Sequence, residues 1–186
     1  MMWARSLHRC GRALLRFATD SRAVSGTEFA VVLPFMLALY LGSIEAGNGF
    51  AIQFKASLAA SRVADLTSQY TSIDNSTMSG ILGAASLVVA PYTSSEMIVT
   101  VTQISTDSTG QGTIVWSDSL NGTARTVGQA ITLPTALQIA NTSLIWSEVT
   151  YPYKPWLGLV FSSTINIYQN SYFYPRLSTS VSRVNA

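Results

Sequence analysis

FAVVLPFMLALYLGSI, residues 29–44, is sixteen residues without a charge, held between Glu28 and Glu45. As a helix this run covers roughly 24 Å, less than the roughly 30 Å hydrocarbon core of a bilayer. It reaches the far side by continuing through Ala46 to Phe54, where no further charge intervenes. The stretch therefore reads as one membrane-embedded helix with an acid at its front edge and another partway along. An acid at a membrane edge is costly, so Glu28 at the front of the run calls for a reason.

Five arginines precede the run (Arg5, Arg9, Arg12, Arg16 and Arg22), against Asp20 alone. The overall charge of +2 hides this asymmetry, because residues 23–186 carry six basic groups and eight acids. Short basic flanks stay cytoplasmic, which predicts an inside amino terminus and an outside carboxy-terminal domain. The basic residues lack interleaved aromatics, so nucleic acid is not an expected partner. Residues 1–23 read as a basic cytoplasmic leader, either an unstructured tail or a short helix on the membrane surface. A removable signal peptide is disfavoured, since no small-x-small site follows Ile44 and the helical pattern runs on.

The pattern beyond the membrane remains helical. In AIQFKASLAASRVADLTSQY (51–70), Phe54, Leu58, Ala59, Val63 and Leu66 recur at helical spacing and are the expected buried stripe. A helix over about 27–70 is predicted, with residues 24–54 in the membrane and 55–72 as its outer continuation. Pro34 removes one backbone donor from the apolar part and predicts a kink. Asp74 or Asn75 can cap a second helix near Thr77–Val89, which Pro91 ends. Strands then follow at Glu96–Ile104, Thr113–Ser119, Leu144–Tyr153 and Ser162–Tyr172, with loop around Pro134. This is an α+β domain (73–186): a long helix, a short helix and an antiparallel sheet of about four strands.

Chemistry has little to work with. His8 and Cys10, the only residues of their kinds, both lie in the leader. Outside it no Ser/His or Cys/His arrangement can form, and no metal-binding or phosphate-loop spacing occurs. Neither an enzyme, nor a cofactor, nor a metal, nor a small-molecule substrate is expected. The single cysteine also excludes an intramolecular disulfide, so the outer domain must hold by packing.

GTEFAVVLPFMLALYLGSIEAGNGF resembles the amino-terminal segment of the TadE/TadG-like family, minor pseudopilins of the Tad (Flp, type IVc) pilus system. The acid–aromatic pair Glu28-Phe29, Pro34 and the element Gly42-Ser43-Ile44-Glu45 carry the likeness. SRVADLTSQ (61–69) and EVTYPYKPWLG (148–158) resemble later parts of the family. The length matches the shorter TadE-type form and its pilin-like architecture. The resemblance implies a single-pass inner-membrane protein with a periplasmic domain, whose leader is removed by a prepilin peptidase. Its partners would be the membrane, other pilins or pseudopilins, and the pilus assembly machinery. Counting back from an acid at the fifth mature position places the cut between Ala23 and Val24, with alanine where family leaders usually end in glycine. Glu28 would then lie near a neighbour's new amino terminus, with Pro34, Gly42, Glu45, Gly47 and Gly49 in the packing helix. A second reading makes the protein a single-pass envelope protein whose outer domain binds a ligand or another protein, with Tyr151, Tyr153 and Trp156 as its surface.

Overall fold

The computed structural model describes residues 21–155, 158 and 163–184, with the side chains of 21–23 excluded. Helix α1, Ser21–Ser68, is 48 residues long and runs without a break through Pro34. It is followed by β1 (Ser72–Ile73), α2 (Asn75–Val89), β2 (Ile98–Thr106), β3 (Gly112–Leu120) and β4 (Ala130–Ile131). After a 3-10 turn at Thr135–Leu137 come β5 (Ser143–Tyr153), β6 (Ile165–Phe173) and β7 (Ser182–Arg183). Asp74 caps α2 by accepting the Thr77 amide at 2.7 Å, which settles the choice between Asp74 and Asn75.

The main sheet has the order β4-β3-β2-β5-β6, antiparallel throughout, and β1 pairs with β7 in parallel. Two hairpins were expected; their inner strands β2 and β5 pair over eight positions, from Ile98↔Thr150 to Ser105↔Ser143, and make one sheet. The fifth strand, β4, is two residues long, too short to show a period of two in the sequence.

One face of the sheet lies on α1 and α2. Val99 and Val101 of β2, with Ile145, Val149, Tyr151 and Tyr153 of β5, form a core with Ile52, Ala56, Ala59, Ala60, Val63 and Ala64 of α1. Four alanines at the seam keep the helix backbone close to the strands. The burial stripe is rotated from the expected one: Ala59 and Val63 are buried, but Phe54 is 70% and Leu58 37% exposed. Side-chain size misled the sequence reading here, because the small residues face the sheet and the large ones face out. A smaller cluster of Ile104, Leu133, Leu144 and Trp146 covers the other face.

The carboxy-terminal segment ties these layers together. The side-chain oxygen of Gln103 accepts both the Val181 amide (2.8 Å) and the Trp116 indole N–H (3.1 Å), and the indole also reaches the Val181 carbonyl at 2.7 Å. Arg183 forks onto Asp118 at 2.8 and 3.1 Å and donates to Asn75 at 2.5 Å. Arg176 gives its amide to the Ser68 carbonyl at the end of α1 and pairs its guanidinium with Asp65. The Arg176–Asp65 and Arg183–Asn75 contacts span 111 and 108 residues of sequence, holding the end of α1 and the start of α2 to the carboxy-terminal segment.

Candidate functional site

From Val24 to Tyr40 every residue of α1 is exposed, among them Phe29 (59%), Phe35 (68%) and Leu39 (76%). Between Glu28 and Glu45 the helix is apolar on all sides and carries no charge. A helix apolar all round and covered by nothing suits a lipid surround, and its length and composition suffice to cross a membrane. Ala23 and Val24 lie in its first turn, and Glu28 stands exposed on it with no described residue bonding its carboxylate.

The character of the helix changes at Glu45, which is 3% exposed. Its carboxylate accepts the Gly158 amide at 3.0 Å, and its backbone carbonyl accepts the Tyr153 hydroxyl at 3.1 Å. Gly158 has a φ of 64°, a left-handed conformation that glycine adopts without strain. The acid that interrupts the apolar stretch is therefore the point where the domain takes hold of the helix. Of the glycines expected to pack, Gly49 faces the Tyr153 ring, 3.6 Å from where a Cβ would stand, whereas Gly47 faces open space. Gly42 is half-buried.

Lys55 has a similar explanation. A cation just past the apolar run, at the end away from the basic leader, opposes the charge rule, but its amine donates to the Ala90 carbonyl at 2.5 Å and to the Val88 carbonyl at 3.4 Å. It satisfies the last carbonyls of α2, where cations are favoured.

Tyr151 and Tyr153, expected as interaction surface, are 8% and 6% exposed and belong mainly to the core. Burial pushes both phenols above their ordinary pKa. Their edges reach a cleft of about 520 Å³ between α1 and the 91–96 segment, at whose mouth Lys154 contacts Glu96 at 2.7 Å. Trp156 lies outside the described residues.

The far face of the sheet carries a charged cluster that the sequence did not announce. Arg125 grips Glu148 through two bonds of 2.7 Å, and the Tyr168 hydroxyl donates to the same carboxylate at 2.7 Å. The guanidinium also lies 4.1 Å from the Trp146 ring centroid, and Trp146 stacks on Tyr172 at 5.7 Å. Burial, then the bond to Glu148, pushes the Tyr168 phenol up to about 12. Tyr168 and Arg125 stand 20 and 23 residues from Glu148, so no local motif could have marked their meeting. Among the described residues no three of the His, Cys, Asp and Glu side chains gather as metal ligands would.

The arrangement defines a domain that clasps the carboxy-terminal half of a helix and leaves the amino-terminal half bare, the form of a single-pass membrane protein. The family model for TadE-like proteins matches residues 25–65, from the bare half through the clasped one. No curated protein and no solved structure matches the chain. The likeness first read from Glu28-Phe29, Pro34 and Glu45 is thereby shown: the anchor helix is a TadE-like segment. Such a segment on an amino-terminal apolar helix fits a membrane protein associated with the Tad pilus.

Proposed function

We propose that the protein is a minor pseudopilin of the TadE type, anchored in the inner membrane with its domain in the periplasm. A prepilin peptidase removes the leader between Ala23 and Val24, and the helix from Val24 onward packs beside other pilin helices during assembly. The single observation that carries this reading is the bare, TadE-like half of α1, which the protein's own domain does not cover. Glu28 adds support: an exposed acid at the front of an apolar helix is stabilised in lipid by a nearby positive group, and a neighbour's new α-amino group is one. No catalytic step is assigned to any residue.

The amino-terminal residue and the mass of the protein recovered from membranes test the proposal. A start at Val24 is expected, and an intact leader on assembled protein would remove the processing step. Glu28→Gln keeps the shape and removes the charge, so pilus assembly should fall while the melting temperature of the domain stays the same. Unchanged assembly would refute the carboxylate–amine pairing.

A further inference from the structure

The position of the cleft along α1 gives it a place in the membrane. A hydrocarbon core of about 30 Å beginning at Glu28 uses about 20 helical residues and ends near Asn48. The headgroup layer adds about 5–7 Å, which is close to the rise from Asn48 to Ile52. Those two residues line the cleft of about 520 Å³, together with Tyr92, Glu96, Tyr153 and Lys154. The cleft thus opens at the depth of the outer headgroups. Tyrosines there have an apolar ring for the acyl boundary and a hydroxyl for water.

We infer that the cleft holds the headgroup of a zwitterionic phospholipid with a primary ammonium, the phosphoethanolamine type. Charge complementarity selects it. Lys154 and Glu96 sit together at the mouth with their side chains 62% and 60% exposed, bonded at 2.9 and 2.7 Å. An exposed pair of this kind is worth about 0–1 kcal/mol and exchanges partners readily. Lys154 passes to the lipid phosphate, and Glu96 accepts N–H bonds from the lipid ammonium. A quaternary choline has no N–H to donate, and a glycerol headgroup has no cation for Glu96. The placement rests on the membrane-spanning reading of α1 and not on the pilus role, so failed assembly would leave it standing.

The test is native mass spectrometry of the full chain in detergent, offered phosphatidylethanolamine, phosphatidylcholine or phosphatidylglycerol in turn. Phosphatidylethanolamine should be retained about tenfold better than phosphatidylcholine, the worth of one charge-assisted hydrogen bond. Glu96→Gln should abolish that preference, and Lys154→Gln should weaken retention of both lipids. Both variants should melt with the wild type, because neither side chain is buried. Equal retention of the three lipids, a preference for phosphatidylglycerol, or an undiminished preference in Glu96→Gln would overturn the assignment. A peptide carried through purification in place of lipid would do so as well.

Discussion

The two halves of helix α1 are one continuous secondary structure in two solvents. Residues 24–40 are exposed on every side, and their large side chains point everywhere. From Ile52 to Ser68 the buried positions recur at helical spacing (52, 56, 59, 60, 63, 64, 67 and 68), and most are small. The first half is specified by what it lacks, namely charge. The second is specified by where its small residues fall, because only they admit a sheet at close range. Glu45 marks the junction, a buried acid satisfied by the domain and not by lipid.

The strongest way to break this comparison is to change the size of one residue in each half. Ala60→Leu forces side-chain volume into a fully buried seam and should lower domain stability by about 1–3 kcal/mol, seen as a fall in melting temperature. Leu39→Ala, on the bare half, should leave the melting temperature unchanged. Equal effects would mean that the bare half also packs on the domain.

The two acids form the next test. Glu45→Ala leaves the Gly158 amide without its acceptor and should cost about 1–2 kcal/mol of domain stability. Glu28→Ala should cost none and act on assembly alone. Thermal melts of the two variants beside pilus counts separate the roles.

Much of the architecture was legible because it depends on local pattern. The uncharged run, the helical spacing past Phe54, the cap at Asp74 and the β-branched strands each announced an element within about ten residues. The stripe was misread because hydrophobicity was taken as burial; on this helix Phe54 faces out and Ala56 faces in. The β2–β5 pairing, the Gln103–Trp116–Val181 clamp and the Arg125–Glu148–Tyr168 cluster join residues far apart in sequence, and no periodicity encodes such meetings. At the candidate site, Glu28 stood out as a costly acid, and Glu45 only as the end of the Gly42–Glu45 element. The sequence held no sign that Gly158 would answer one of them.

The domain has its own weakness at high pH. The Tyr168 phenol is raised to about 12 in the fold, above its unfolded value near 10, so the fold favours the protonated form. That contribution is complete below about pH 10 and is lost as pH rises through about 12. Stability should decline across this window, and Tyr168→Phe should flatten the decline, as followed by denaturant melts with tyrosinate absorbance. The bare half carries only Tyr40 among its tyrosines, on no part of the domain, so this effect belongs to the sheet.

The smallest expected effect sharpens the junction. Gly47→Ala places a methyl in open space and should change domain stability by no more than about 0.5 kcal/mol. A loss of assembly with unchanged melting would mark Gly47 as a point where a neighbouring helix approaches.

The most direct test of the two-solvent helix is a spin-label scan of residues 29–66 in lipid vesicles, using the full chain with Cys10 replaced by Ser. The account predicts oxygen-accessible, lipid-facing labels at every position from 29 to 40. It predicts a helical alternation beyond Glu45, with labels immobilised at 52, 56, 59, 60, 63 and 64. An immobilised stripe extending back through residues 29–40 would contradict it, because the domain would then cover the half that it is held to leave free.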